Sequence, residues 1–113
     1  MSIVVVKLIP LDQLTLEKGE KPDVIDSRVM EMRTHLEEAM RQFDRLVVEA
    51  EKRKVFDAWI ADPRKMLGVR IPTGPANGWG EYRWLLGWLQ AFNTEFCKLH
   101  GALNGGAKGL FND

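Results

Sequence analysis

Apolar positions along the chain fall into two long helical patterns separated by a stretch rich in proline and glycine. In the first pattern Val29, Met32, Leu36, Ala39, Phe43, Leu46 and Ala50 alternate at three and four residues, the spacing that aligns one face of a helix. Met40 and Val47 widen the stripe, and Glu31, Glu37, Glu38, Arg41, Asp44, Arg45 and Glu49 occupy the other faces. Glu37–Arg41 and Glu49–Arg53 are spaced for ion pairs one turn apart. Asp23, Asp26 and Ser27 are the candidate N-caps. Residues 51–54 are all charged and interrupt the apolar phase, which resumes in shifted register at Val55, Phe56, Trp59 and Ile60. The spacing predicts a helix over 26–61, bent near 52–54 or turning a second face there, and ended by Asp62-Pro63 because the residue before proline resists the helical conformation. Three heptads are few for a coiled coil, so the stripe reads more readily as an intramolecular packing face than as a dimer seam.

The second pattern predicts a helix over 81–104, with Leu85, Leu89, Phe92, Phe96, Leu99 and Leu103 on one face. Three of the four tryptophans, Trp79, Trp84 and Trp88, lie in or beside it. Its first half is apolar almost all round, and such a helix must be enclosed on more than one side. Trp84 and Trp88 stand to the side of the main stripe, and Gly87 leaves a notch where another backbone can approach. Cover is expected from the N-terminal strand or from another subunit. Gly101 or Asn104-Gly105 can close the helix, and the glycine-rich tail 105–113 is expected to be flexible.

Around these helices, Ile3 to Ile9 is β-branched and reads as a strand within residues 1–10. It needs a partner, either Leu67 to Ile71 or its own copy in a second chain. Residues 11–25 form a connector. Residues 62–80 hold three of the five prolines and four of the ten glycines, and a loop of that length inside a compact domain is usually functional or flexible. Trp79 sits in it between two glycines, with nothing local to bury it. The expected fold is mostly α with minor β in one domain. It has two long antiparallel helices, a short N-terminal strand or small hairpin, and the proline-glycine loop over the junction.

Composition adds limits. The chain has 113 residues, room for one modest core, and 45% hydrophobic with 28% charged residues fits a globular domain. The formal net charge is zero, so nothing global draws it to nucleic acid or anionic lipid. Residues 1–51 carry net −4 and residues 52–113 net +4, a polarity that could orient an assembly but is more commonly solvated surface. One cysteine, Cys97, allows no internal disulfide and fits a reducing cytoplasm. No apolar run approaches the roughly 20 residues needed to span a bilayer, and the N-terminus lacks the basic leader and cleavage site of a signal peptide.

Chemistry-bearing patterns are sparse. Cys97 and His100 are one turn apart with Glu95 nearby, and His35, Glu37 and Glu38 stand on the other helix, but repeated Glu-x-x-His pairs are missing. A half-buried cysteine and a helix-end histidine is the commoner meaning. Cys97 lies late in its helix, where the dipole opposes a thiolate nucleophile. No metal, cofactor or catalytic residue is expected. Arg53, Lys54, Arg64, Lys65, Arg70 and Arg83, interleaved with Trp79 and Tyr82, could bind single-stranded nucleic acid by stacking and phosphate contact; a solvated surface is the plainer meaning at zero net charge. Tyr82-Arg83-Trp84-Leu85, followed by Glu95-Phe96 and Gly101, resembles a helix in phage-borne proteins labelled pyrimidine-dimer DNA glycosylases. The resemblance covers that one segment, lacks the histidine- and proline-rich lead-in, and carries over no catalytic residue.

The pattern therefore points to a small non-enzymatic interaction protein acting as a homo-oligomer, dimer or higher, and binding another protein. It fits the accessory, assembly or inhibitor kind found in bacteria and their phages, located in the cytoplasm and independent of membranes. Its expected interface is Trp79, Tyr82, Trp84 and Trp88 with Phe56 and Trp59, because tryptophan and tyrosine carry much of the energy of protein contacts. A nucleic-acid accessory protein is the alternative.

Overall fold

The computed structural model describes residues 3–57, 59–105 and 109–112. In chain order the elements are β1 (Val6–Leu8), α1 (Leu11–Leu14), α2 (Pro22–Lys52), α3 (Pro63–Leu67), α4 (Gly78–Asn104) and β2 (Leu110–Asn112). The expected class holds: the chain is mostly α, with two long helices packed on each other and a small two-stranded sheet. All seven stripe residues of α2 and all six of α4 are buried. Phe43 of α2 meets the edge of Phe92 of α4 at 5.5 Å between ring centroids, with Phe96 at 6.5 Å.

The helices run in the same direction, which corrects the antiparallel arrangement. Arg33, early in α2, grips Glu81, early in α4. Arg53, just past the end of α2, donates to the carbonyl of Leu103 at the end of α4. A short connection would have forced antiparallel neighbours. Here residues 53–57 and 59–77 travel back along a helix pair that is about 46 Å long by the rise of α2, close to the 48 Å long axis of the molecule. The proline-glycine stretch is this return path.

Three local departures have clear causes. α2 stops at Lys52, not at residue 61, because Lys54 takes a left-handed conformation (φ 58°) and Val55 N–H reaches back to the Ala50 carbonyl at 3.0 Å. These are the bonds of a Schellman closure. Asp62-Pro63 begins a helix: Asp62 accepts from Arg64 N–H at 2.9 Å and Pro63 takes the first helical position of α3. α2 begins at Pro22 without a side-chain cap, so Asp23, Asp26 and Ser27 are not its N-caps, although Asp23 stands in the first turn where the helix dipole favours an acid. Gly105 closes α4 (φ 57°), as its sequence context suggested.

The strand finds its partner at home. β1 pairs in parallel with β2, Val6 opposite Leu110 and Leu8 opposite Asn112. Neither Leu67 to Ile71 nor a second chain supplies that role, and the pair is not a hairpin. Of the tail expected to be flexible, residues 106–108 and 113 lie outside the described residues, as do residues 1 and 2 of the expected strand; 110–112 are strand. Side-chain amides extend the pairing. Asn104 accepts from Val4 N–H at 2.7 Å and donates to Val4 O at 2.8 Å. Gln42 does the same for Lys7 (2.9 and 2.8 Å) and Asn93 for Ile9 (2.8 and 3.0 Å). A primary amide offers one donor and one acceptor side by side, so each stands in for one peptide of a missing strand.

Candidate functional site

α4 is the element on which the rest of the chain is hung, and its four flanks have different occupants. One flank faces α2. A second holds residues 4–16: besides the Asn93 and Asn104 amides, the Tyr82 hydroxyl accepts from Leu16 N–H at 2.7 Å. A third holds the return path: buried Glu95 accepts from Ala61 N–H at 2.7 Å and from Lys98 Nζ at 3.1 Å, while Lys98 also donates to the Trp59 carbonyl at 3.1 Å.

At the N-terminal end of the pair, buried Arg33 donates Nε to Glu81 Oε2 at 2.6 Å and Nη2 to Oε1 at 2.8 Å. Its guanidinium also reaches the carbonyls of Gly74 (2.6 Å) and Pro75 (3.2 Å), and Asn77 N–H donates to Glu81 Oε1 at 2.9 Å. The hydrogen bonds from Arg33 hold the Glu81 carboxyl below its ordinary range, outweighing burial, and the same bonds raise Arg33. This is a structural clamp that lands the return path on both helices.

The fourth flank of α4 is bare. Gly80, Gly87, Thr94 and Gly101 recur every seven residues along it, with Arg83, Trp84, Gln90 and Cys97 between them, and all eight are exposed. Trp84 leaves 40% of its surface open. A Cβ added at Gly80, Gly87 or Gly101 would meet nothing within 4 Å, so the chain's own packing does not require any of these glycines. Arg83 is the single charge among these eight positions.

The six residues expected to form the interface differ in exposure. Tyr82 is buried and Trp79 stacks on it at 4.7 Å, so a local contact does cover Trp79. Trp88 and Phe56 are partly buried against the core. Trp59, half exposed, lies on the return path with its Nε1 donating to Asp57 at 3.0 Å and Lys98 Nζ 5.9 Å from its ring centre. Trp84 is exposed, one helical turn from Gly80, Gly87 and Trp88 and about 100° around α4 from Arg83 and Gly101.

The basic set does not converge either. Arg53 is spent on Glu49 (2.8 Å) and the Leu103 carbonyl (3.3 Å), and Arg64 stands 3.7 Å from Asp62. Lys54 caps α2, Lys65 and Arg70 are exposed along the return path, and Arg83 sits near the opposite end of the helix pair, about 30 Å from Arg53 by helix rise. Cys97 faces outward on the bare flank, whereas His100 is half-buried with its Nε2 enclosed and unpartnered. Among the described residues no three His, Cys, Asp or Glu side chains stand close enough to hold a metal ion. His35 and Glu38 line a recess of about 100 Å³ between residues 7–10 and α2, floored by Ala39 and Phe96. No described helix is long and apolar enough to cross a membrane.

Sequence reasoning passed over Arg33, Glu81 and Asn93 and gave Glu95 and Asn104 other roles. The signal was present for three of them. Arg33, Glu81 and Glu95 fall in phase with, or beside, the apolar stripes, and a charged side chain in such a position implies a buried partner. The two asparagines carry no comparable mark. No family model, curated protein or solved structure matches the chain, so the local likeness of residues 82–101 to a glycosylase helix rests on helix pattern alone.

Proposed function

We propose that this chain is a small non-enzymatic interaction protein of the accessory, assembly or inhibitor kind, working as a homo-oligomer and engaging a protein partner through the bare flank of α4. One observation carries the reading. A 27-residue helix is fastened on three flanks and left on the fourth with an exposed indole, three glycines without an internal reason, and one charge. Exposed tryptophan beside a close-approach surface is the composition of a protein contact. An exposed lone thiol on that flank suits a reducing compartment such as the cytoplasm.

Sedimentation equilibrium of the full chain tests it. The expected result is a mass that rises above 12.9 kDa with concentration in the micromolar range. Trp84→Glu returns it to the monomer without changing the helical signal. A wild-type protein that stays monomeric throughout overturns the reading.

A further inference from the structure

The chain leading into β1 has an open edge, and its surroundings indicate what fills it. We infer that an extended, acidic segment of a protein partner pairs with Ile3 and Val5, laid between them and the C-terminal half of α2. This contact is separate from the one assigned to α4 and does not rest on it.

The backbone of residues 4–8 alternates. Val4 turns its N–H and C=O to the Asn104 amide, and Val6 N–H donates to the Gly109 carbonyl at 2.7 Å. Successive residues of a strand turn their peptide groups to opposite edges. Ile3, Val5 and Lys7 therefore turn theirs the other way, toward α2. Gln42 satisfies both groups of Lys7. No hydrogen-bond partner among the described residues meets those of Ile3 and Val5. One side-chain amide thus stands where a strand would pass, with two open registers beyond it. The space beside them is a hollow lined by Ile3, Val4, Val5, Gln42, Arg45 and Glu49. A neighbouring strand would lie there about 4.8 Å from the backbone of Val5.

The chemistry of the occupant follows from what its two faces would meet. A strand presents alternate side chains to opposite faces. One row would lie beside the side chains of Ile3 and Val5, which are 54% and 50% exposed. The other row would face α2, where cations prevail. Arg45 lines the hollow, and Lys52 follows two turns on along the same side of the helix. Both are exposed, and neither has an acidic partner among the described residues. Glu49 is the one acid lining the hollow, and Arg53 already holds it at 2.8 Å. A segment alternating apolar with acidic residues satisfies both rows, and its main chain supplies the missing ladder, the mode of β-strand addition. A second copy of this edge fits less well, because it would bring Arg45 and Lys52 toward the same two cations.

Amide NMR spectra of the full chain at low salt decide the matter, with two blocked hexapeptides as probes, acetyl-VEVEVT-amide and acetyl-VKVKVT-amide. At millimolar concentration the acidic peptide should shift the amide signals of Ile3 and Val5 and leave those of α4 in place. The lysine peptide should bind at least about fivefold more weakly. Arg45→Glu changes an exposed side chain and should keep the helical signal, yet weaken the acidic peptide by a similar factor and strengthen the lysine one. Val5→Pro removes a donor that no internal group uses and should also weaken the acidic peptide. Unmoved Ile3 and Val5 signals, equal binding of the two peptides, or an acidic peptide indifferent to Arg45→Glu overturns the inference. So does movement of the same signals with protein concentration alone, which would assign the edge to a second copy.

Discussion

α2 and α4 are similar in length and direction and meet through matched apolar stripes, yet their outer surfaces differ. α2 turns outward mainly acids and bases, among them the exposed pair Glu37 and Arg41 at 2.9 Å, with Met30 and Val48 also exposed. α4 turns outward glycine, threonine, tryptophan and one arginine. Most of the long-range polar fastenings of the fold also belong to α4. The outer face of α2 is chiefly charged, whereas α4 is fastened on three sides and open to solvent on the fourth. A stripe on one helix says where the core is. The contrast between the two outer faces shows where charge gives way to small and aromatic residues.

The sharpest break in the comparison comes from carboxylates on the two helices. Glu81→Gln on α4 strands a buried guanidinium and should cost about 3–5 kcal/mol, whereas Glu37→Gln on α2 should cost no more than about 0.5 kcal/mol. Urea unfolding of both variants measures the gap. The pH dependence has a definite sign. The folded state holds Glu81 below its ordinary value of 4.5, so its contribution is complete above that value and is lost as pH falls through the lower folded-state value. The acid limb of the stability curve should therefore flatten in Glu81→Gln. Equal losses for the two variants would mean that the buried pair carries no special weight.

A smaller effect separates the amides that clamp residues 4–9. Asn93→Ala and Asn104→Ala on α4 leave partly buried peptide groups unpaired and should cost about 1–3 kcal/mol each. Gln42→Ala on α2 exposes its peptide to water and should cost well under that. Thermal melts of the three single variants give the order, and a Gln42 effect as large as the other two would erase the asymmetry.

The smallest change sharpens the end of α2. Lys54 occupies a left-handed position that favours glycine, and Lys54→Gly should stabilise the fold by about 1 kcal/mol. A loss on substitution would assign the lysine a contact that outweighs its backbone strain.

Both helices were legible from periodicity, down to every buried stripe residue, because a single face of a helix repeats in sequence. Their relative direction was not. It depends on whether residues 53–77 form a short turn or a return path, and a proline-glycine segment serves either. Asp62-Pro63 misled for a related reason: the pair stops a helix behind it and starts one ahead of it with equal ease. The Ile3–Ile9 strand was legible as a strand, but its partners were one short strand a hundred residues away and three side-chain amides, which no local pattern encodes. The exposure of Trp84 and the open space at Gly87 were visible in the sequence. Trp79, Tyr82 and Trp88 looked like interface because aromatic residues at helical spacing do not announce whether a neighbour already covers them.

The parallel pairing of Val6 with Leu110 has a consequence for synthesis. The first strand leaves the ribosome with nothing to bind, and its partner follows more than a hundred residues later, about 5–20 s at ordinary elongation rates. During that interval the nascent chain carries an open strand edge, the feature by which unfinished proteins adhere to one another. Slowing translation near the C-terminus should therefore lower the yield of properly closed molecules more than slowing it within α2.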